Sequence, residues 1–343
     1  MEEKLELLGK HVQLTAFLDR VAEGYYLNFA FRLISFDAYS VRLFFDALAR
    51  VYNGMGLPTH PRAPFPEFIE KRRNVKESAA FERSFKYWQD RVESLRHAPE
   101  LPVLEHERMP ERSSFKRVRF LLPTERVAHI NAQARRLGVS LSAVFCTAYA
   151  DVLRLWSRNP SFAINMLMSH RPSNDPRYQR AYGNFGSTLL LEAADTRGSF
   201  MERAKALQMQ LARDIRHARV AGVDVIQAMG RVGAGLPVMP VVFASSLGLD
   251  MPEDILLPSA AGWASCGGGL HTPQVWLDCQ VYMYGDELVM NWDYVEGLFL
   301  PGVVEEMFET FQRHVEAIMA AEVPEEALLL PQLPAVALRA REA

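Results

Sequence analysis

The stretch Thr272-Pro-Gln-Val-Trp-Leu-Asp-Cys-Gln280 is the most informative part of this 343-residue chain. Side chains of an extended strand alternate between its two faces, so the even-numbered positions share one face. Those positions are Gln274, Trp276, Asp278 and Gln280. A half-buried strand ordinarily gives one face to apolar side chains. A face made of two amides, an indole and a carboxylate therefore indicates chemistry rather than an ordinary core.

The composition excludes several classes of protein. Hydrophobic residues make up 49% of the chain and charged residues 23%, which is typical of a globular protein. A formal net charge of −3 argues against a nucleic-acid or anionic-membrane partner, because both favour basic surfaces. The apolar runs are too short to span a bilayer, and residues 1–11 lack the features of a signal peptide. We therefore predict a cytoplasmic protein with no membrane or nucleic-acid partner.

The cysteines and histidines give no sign of a metal or disulfide framework. Cys146, Cys266 and Cys279 cannot all pair and have no CxxC spacing, so reduced thiols are expected. The nine histidines show neither HExxH nor mixed Cys/His spacing, which predicts no metal site. The run Cys266-Gly-Gly-Gly269 lacks the Lys-Ser/Thr pair that completes a phosphate-binding loop.

The first 60 residues predict one strand and one or two helices. Apolar and polar residues alternate over Tyr25–Ile34, which is typical of a half-buried strand. Ser35 or Asp37 can then cap a helix that Gly54 ends. The Pro-rich segment 57–66 is interpreted as a linker between two lobes.

Strands and helices alternate through the rest of the chain. A helix is predicted from Glu67 to about Leu95, later helices follow caps at Thr124 and Ser140, and a long helix begins at Ser199. The predicted strands lie near residues 115–122, 162–168, 188–192, 238–245, 275–283 and 287–292, and a final helix covers 301–320. This alternation favours a two-layer α/β arrangement.

Several stretches resemble, in the same order, successive motifs of the heterocyclization domains of non-ribosomal peptide synthetases, which are relatives of condensation domains. The matching stretches are Ser35–Ser40 (end of DxxxxDxxS), Gly183–Ser187 (GDFTS), the helix signature within 207–223, Pro240–Gly248 (PVVFTS), Thr272–Gln280 (QVWLDHQ) and Asn291–Asp293. Each motif alone is weak, but the ordered set covers nearly the whole chain.

The resemblance implies a chloramphenicol-acetyltransferase-like fold of two related lobes, with a tunnel that two carrier proteins enter from opposite sides. Residues 1–60 would be a remnant of the N-terminal lobe and 61–114 an interlobe linker and helix. Residues 115–323 would form the C-terminal lobe, and 324–343 resemble the linker that leads into an adenylation domain. The first lobe is expected to be incomplete, so either another polypeptide completes it or the form is naturally shortened.

Departures from the family motifs concern charged and hydroxyl positions. The departing positions are Arg32, Leu33, Asn184, Gly186, Ala244 and Cys279. Arg32 stands where the family motif has its first Asp. Leu33 stands where the related HHxxxDG motif has its second His. Ala244 replaces the Thr whose hydroxyl is expected to work with the downstream Asp.

By resemblance Asp278 is the catalytic residue, because cyclodehydration needs a group that removes one proton and later returns one. The alternative is a sheet-surface Asp that bonds to a neighbour. The predicted tunnel residues are Gln274, Trp276, Gln280, Ser245 and Leu33, although Trp276 could also be a core aromatic. Ser245 should point away from Ala244 in a strand.

Asp37, Ser40 and Arg32 are predicted to be structural rather than catalytic. Asp37 would cap a helix or pair with an Arg, for which Arg32 is one candidate. Cys279 faces away from Asp278 and is interpreted as a small buried hydrophobe. His217 is interpreted as a packing or capping residue.

Two functions remain open from the sequence. One is an enzyme, with impaired or altered chemistry, that condenses carrier-bound thioesters with Cys, Ser or Thr, with or without cyclisation of the product to a thiazoline or oxazoline. The other is a catalytically inactive scaffold or docking partner in a synthetase assembly. No cofactor is expected to bind directly, and the phosphopantetheine arms would come from partner carrier proteins.

Overall fold

The computed structural model describes residues 12–22, 24–104, 114–232, 238–249, 251–252, 254–264, 267–272, 274–321 and 331. Its backbone contacts define two compact units that interleave along the sequence. The first unit comprises Met1–Asn74, Ser169–Gly186 and Asp250–Cys266, and the second comprises Val75–Met168, Ser187–Leu249 and Gly267–Ala343. The linear division expected from the sequence, at residues 60, 114 and 323, stays a prediction. The predicted tail 324–343 lies almost entirely outside the described residues.

The first unit contains a β-hairpin followed by helices. Strands β1 (Leu14–Val21) and β2 (Gly24–Phe31) pair antiparallel, and α1 (Ala38–Tyr52) and α2 (Phe65–Val75) follow. The rings of Phe29 and Phe31 pack against Phe44 of α1, with ring centroids 5.2 Å apart in both pairs. Aromatic contacts therefore fix the hairpin to α1.

The expectation of one strand in the first 60 residues is wrong, because β1 is present as well. The predicted strand 25–34 also ends early, at Phe31. The amides of Ser35 and Phe36 both donate to the Arg32 carbonyl oxygen, at 3.0 and 3.1 Å, and close a turn. Leu33 lies in this turn and is 37% exposed.

The second unit is built on a six-stranded mixed sheet with the order β3-β8-β7-β6-β4-β5. Its strands are β3 (Phe115–Pro123), β4 (Phe162–Ser169), β5 (Gly186–Ala193), β6 (Val241–Ser245), β7 (Leu277–Tyr284) and β8 (Glu287–Val295). Strands β3 and β7 both pair antiparallel with β8, whereas β6 pairs parallel with both β7 and β4.

Six helices belong to the second unit in its described part: α3 (Ala79–Gln89), α4 (Thr124–Arg136), α5 (Leu141–Trp156), α6 (Phe200–Arg216), α7 (Gly222–Val232) and α8 (Val303–Ala320). The single helix predicted over 67–95 is wrong. It is two helices, α2 and α3, because the Ser78 hydroxyl accepts from the Phe81 amide at 3.1 Å and starts a new helix.

The predicted cap at Ser140 is confirmed, and the long helix predicted to begin at Ser199 has Ser199 as its N-cap. The Ser140 hydroxyl accepts from the Ala143 amide at 3.2 Å, and Ser199 forms a capping box with Glu202. Thr124 is not a cap but the first residue of α4. Its hydroxyl donates to the Asp286 carbonyl oxygen instead, at 2.6 Å.

Helices α5 and α8 cover one face of the sheet. The ring of Tyr149 on α5 lies 5.1 Å from Trp292 of β8, and Trp292 lies 5.4 Å from both Phe308 and Phe311 of α8. All of these side chains are buried. Among the described residues, no single helix is both long and apolar enough to cross a membrane, and α4 and α5 meet that test only as a pair bent by 99°.

Cys279 shows which face of β7 the helices cover. It is the register partner of both Phe243 on β6 and Trp292 on β8, so it shares their helix-covered face. It is fully buried, as expected for a small hydrophobe. Because neighbouring strand residues point to opposite sides, Asp278 and Gln280 lie on the other face.

Candidate functional site

A row of side chains crosses five strands on the sheet face opposite to α5 and α8. In order of strands β3, β8, β7, β6 and β4, this first row consists of Arg117, Asp293, Asp278, Val242 and Asn165. Register partners on adjacent strands project to the same side of a sheet. The register therefore brings two carboxylates and a guanidinium side by side.

A second row runs beside the first on the same face. On the same five strands it consists of Arg119, Asn291, Gln280, Ala244 and Leu167. The Arg119 Nε donates to Asn291 Oδ1 at 2.9 Å. Ala244 lies directly beside Gln280, so the methyl group that replaces the family hydroxyl belongs to this polar face.

Asp278 is buried with one carboxylate oxygen lacking a partner. The residue is 5% exposed. Its Oδ2 accepts from Gln280 Nε2 at 2.8 Å, whereas Oδ1 is buried without a hydrogen-bond partner among the described residues. Burying an ionised carboxylate is costly unless its oxygens are paired. Among the described residues, Oδ1 is therefore a buried acceptor that no donor satisfies.

The environment of Asp278 favours its protonated form. The pKa of Asp278 is raised from 3.8 to about 6, mainly by burial and also by the neighbouring Asp293 carboxylate. The hydrogen bond from Gln280 and the charge of Arg117 act in the opposite direction. A carboxyl group that titrates near neutral pH can both accept and donate a proton.

Asp293 has the same side chain in a very different environment. It is 1% exposed, and Arg117 binds it through two hydrogen bonds, Nε to Oδ1 and Nη2 to Oδ2, both 2.6 Å long. The Leu270 amide and Gln280 Nε2 also donate to Oδ2, at 3.2 and 3.1 Å. Both oxygens of Asp293 are therefore hydrogen-bonded, by four donors in all. Two adjacent carboxylates with unlike environments are a common acid–base arrangement.

The prediction that Gln274 shares the face of Asp278 is wrong. Strand β7 begins at Leu277, and Gln274 has a left-handed φ of 70° in the preceding turn. The Val275 amide donates to the Thr272 carbonyl oxygen at 3.2 Å, which closes this turn. Trp276 also precedes the strand. It is half-buried against the core of the second unit, which favours its interpretation as a core aromatic.

Ser245 points away from Ala244, as the strand alternation predicts. Its hydroxyl lies 2.8 Å from the Ser142 hydroxyl at the start of α5. It is therefore on the helix-covered face and does not replace the missing hydroxyl beside Gln280. Leu33 belongs to the first unit, and its role as a tunnel residue stays a prediction.

Asp37 and Ser40 form a local network in the first unit. Asp37 caps α1 by accepting from the Ser40 amide at 2.7 Å, and both of its oxygens accept from Arg171 Nη2 at 3.1 Å. The Ser40 hydroxyl donates to the Gly183 carbonyl oxygen at 2.8 Å and accepts from its amide at 3.1 Å. The arginine that binds Asp37 is thus Arg171, and not Arg32 as the sequence suggested, because the Arg32 backbone closes a turn.

Sequence reasoning missed three residues of the first row: Arg117, Asp293 and Asn165. Strand alternation could have placed Arg117 and Asp293 on one face of their strands, but not beside Asp278. Asn165 is the one amide in the apolar strand β4, and its Oδ1 is buried without a partner among the described residues. A polar side chain in an apolar strand is a signal that could have identified it.

His217 ends α6 and packs as expected, with its ring 3.9 Å from Tyr87 in a stacked arrangement. Of the cysteines, Cys146 and Cys279 are free and buried, and burial raises the pKa of both thiols. Cys266 lies outside the described residues. Within the described ranges, no group of three or more His, Cys, Asp or Glu side chains could hold a metal ion.

Comparisons with known proteins agree with this architecture. A family model described as the condensation domain matches residues 4–330. Pyochelin synthetase PchE of Pseudomonas aeruginosa is 34% identical over 286 residues, which cover 81% of this chain and 19% of the synthetase. Phenyloxazoline synthase MbtB of Mycobacterium tuberculosis is 31% identical over 282 residues, which cover 79% of this chain and 19% of that protein. The chain thus spans about a fifth of the curated relatives it matches.

Solved structures give the same result. The cyclization–docking bidomain of EpoB from Sorangium cellulosum superposes with a TM-score of 0.83 at 26% identity, covering 92% of this chain and 65% of the bidomain. The non-ribosomal peptide synthetase FmoA3 superposes with a TM-score of 0.85 at 29% identity, covering 95% of this chain and 35% of FmoA3. The order of motifs, the family match and these structures agree. The chain therefore belongs to the condensation-domain family of non-ribosomal peptide synthetases and is of the heterocyclization type.

Proposed function

We propose that this chain joins two carrier-bound substrates and closes a five-membered ring in the product. The donor is an acyl or peptidyl thioester, and the acceptor is a Cys, Ser or Thr residue held as a thioester on a second carrier protein. The observation that carries the proposal is the Oδ1 of Asp278, which is buried on the polar sheet face without a partner among the described residues, while Gln280 binds Oδ2. The relatives MbtB, a phenyloxazoline synthase, and EpoB, a cyclization–docking bidomain, support a ring-forming class.

Condensation comes first and asks little of the side chains. The acceptor amine attacks the donor thioester carbon, a C–N bond forms and the C–S bond breaks. The amine proton leaves with the phosphopantetheine thiol of the donor carrier. Alignment and exclusion of water can supply much of the rate enhancement for such a step.

Ring closure then requires two proton transfers, and Asp278 is proposed to make both. The carboxylate accepts the proton of the acceptor thiol or hydroxyl as its sulfur or oxygen attacks the new amide carbon. It passes that proton to the carbonyl oxygen, which becomes a hydroxyl group. Asp278 next takes the amide N–H proton and delivers it to the hydroxyl group, which departs as water while the C=N bond forms. Each transfer returns Asp278 to the carboxylate.

Ala244 should affect the rate of ring closure differently from the rate of condensation. The family hydroxyl expected at this position would lie beside Gln280 on the same sheet face. Its absence removes a hydrogen-bonding group from ring closure and not from condensation. The proposal is therefore that condensation proceeds while ring closure is slowed. The same substitution supports a second candidate, a non-catalytic scaffold in a synthetase assembly.

The proposed partners are carrier proteins, whose phosphopantetheine arms bring the substrates, and the proposed location is the cytoplasm. No cofactor of its own enters the proposed steps. The idea that a separate polypeptide completes the first lobe stays a prediction, because no contact among the described residues supports it.

Intact-protein mass spectrometry tests the proposal. An acyl-loaded donor carrier and a cysteinyl-loaded acceptor carrier are mixed with and without the chain. The acyl mass should move to the acceptor only when the chain is present, and a further loss of one water reports ring closure. Asp278→Asn keeps the shape of the side chain and should abolish the water loss while sparing transfer. Absence of transfer with cognate carriers would instead favour the scaffold.

A further inference from the structure

Four side chains form a continuous hydrogen-bonded chain along the polar sheet face. Arg117 binds both oxygens of Asp293, Asp293 Oδ2 accepts from Gln280 Nε2 at 3.1 Å, and the same nitrogen donates to Asp278 Oδ2 at 2.8 Å. The three strands β3, β8 and β7 each contribute to it. The function proposed above uses only the last member, Asp278.

The geometry gives Asp293 control over the orientation of Gln280. An amide nitrogen carries two hydrogens, and here one points at each carboxylate. A carboxylate at Asp293 can only accept, so it holds the Gln280 amide with its nitrogen toward Asp278. That bond occupies Asp278 Oδ2 and leaves Oδ1 as the free oxygen. Asp293 therefore determines, through Gln280, which oxygen of Asp278 stays without a partner.

The charges of Arg117 and Asp293 shift the pKa of Asp278 in opposite directions. The Asp293 carboxylate raises the pKa of Asp278, and the Arg117 guanidinium lowers it. Arg117 also has its own pKa raised, since its pairing with Asp293 outweighs its burial. While the pair is intact the two charges oppose each other at Asp278, and burial is the largest of the effects on its pKa.

Other titratable groups near Asp278 remain neutral. Cys279 of β7 and Tyr149 of α5 lie on the opposite, helix-covered face of the sheet but still interact electrostatically with Asp278. Burial raises the pKa of both groups well above neutral pH, so neither is charged when Asp278 titrates. The neighbour on β6 is Val242, which carries no charge. Arg117 and Asp293 are thus the charges that act on Asp278 from the described elements packed around it.

We propose that Arg117 and Asp293 form a positioning pair that orients Asp278 through Gln280 and balances its charge without touching the substrate. The inference deepens the proposed ring-closure function, and its relevance to catalysis rests on that function. The pair itself can be tested on the isolated chain, because its effect on Asp278 needs no carrier and no substrate.

The test is an NMR titration of the full chain labelled with ¹³C at the Asp carboxyl carbon. Asp278→Asn identifies the Asp278 signal. Asp293→Asn leaves Arg117 without its partner, so the pH midpoint of the Asp278 titration should fall by about one pH unit. Arg117→Gln leaves Asp293 uncompensated, so the two carboxylates titrate together and their upper midpoint should rise by about one pH unit.

Arg119→Gln is the matched control. It removes the same charge two residues along the same strand, where Arg119 binds Asn291 instead of a carboxylate. Its Asp278 midpoint should stay within about 0.3 pH units of the unchanged chain. The double variant Arg117→Gln/Asp293→Asn removes both charges and should bring the midpoint back between those of the single variants. If a single variant fails to fold, the titration midpoint of the double variant can still be measured.

Shifts of the same sign in the two single variants, or a double variant outside the range that they span, would overturn the positioning pair. The proposed function fails separately. Opposed midpoint shifts without any water loss in the mass-spectrometric assay would uphold the pair and reject ring closure. Ring closure with unmoved midpoints would reject the pair alone. When both hold, the pH profile of ring closure should move with the midpoints.

Discussion

The raised pKa of Asp278 predicts that Asp278→Asn makes the protein more stable at alkaline pH. The pKa is about 6 in the folded chain against an ordinary value of 3.8. Because the folded-state pKa is the higher one, the folded chain binds this proton more tightly than the unfolded chain does. Protonation therefore stabilises the fold below about pH 4, and this contribution is lost as the pH rises through 6.

The size of the effect follows from the two pKa values. The difference of about 2.2 pH units corresponds to about 3 kcal/mol at pH 8, since one unit is worth about 1.4 kcal/mol. At pH 5 about half of that remains, and below pH 4 almost none. An asparagine has a similar shape, stays neutral at every pH and can still accept from Gln280. It should therefore remove the cost of ionisation without removing that bond.

Urea unfolding at pH 8, 5 and 4 measures this prediction through tryptophan fluorescence. Trp156 and Trp292 are almost fully buried in the core of the second unit and report on its unfolding. The control is Asp90→Asn, which removes an exposed carboxylate paired with Lys86 at 3.3 Å. Its stability difference should stay below about 1 kcal/mol at each pH. The reasoning is refuted if Asp278→Asn is no more stable than the unchanged chain at pH 8, or if its gain does not shrink on acidification.

Two further predictions concern the polar face and the first unit. Ala244→Thr adds a hydroxyl beside Gln280, and we expect the rate of water loss to rise by about tenfold or more with the rate of condensation unchanged. Mass spectrometry of the acceptor carrier measures both rates. An unchanged ratio of the two rates would count against the role given to Ala244. Arg171→Gln leaves Asp37 without its buried partner, and we expect a loss of about 3 kcal/mol in the free energy of unfolding. Urea unfolding checks the loss, with Arg313→Gln as a control at an exposed pair with Glu309, and equal losses in the two variants would contradict it.

Local features of this protein could be predicted from the sequence. The caps at Asp37, Ser140 and Ser199 depend on side chains that reach backbone amides within three residues, so the signal is short-range. The placement of Asp278 and Gln280 on one face follows from the period of two in a strand. The family followed from the order of several motifs along the chain. Each of these inferences needs only neighbours in sequence or order along the chain.

Local patterns failed where a distant segment decided the outcome. The strand that carries Asp278 begins at Leu277 and not at Val275, because the amides of Trp276 and Leu277 bond to the Pro240 carbonyl oxygen on another segment. Likewise, Asp37 binds Arg171, which is 134 residues away, rather than the nearby Arg32. Propensity and alternation carry no information about such partners.

The sequence by itself determined the family, the mixed α/β class and the identity of Asp278 as a candidate acid–base group. Only the tertiary structure decided what surrounds that carboxylate. The pairing of β3, β8 and β7 places Arg117, which is 176 residues from Asp293, beside a carboxylate that neighbours Asp278. The pKa of a buried group is a sum of desolvation, charges and hydrogen bonds from everything that packs around it. Those contributions come from register and packing between distant strands, which no local pattern of residues specifies.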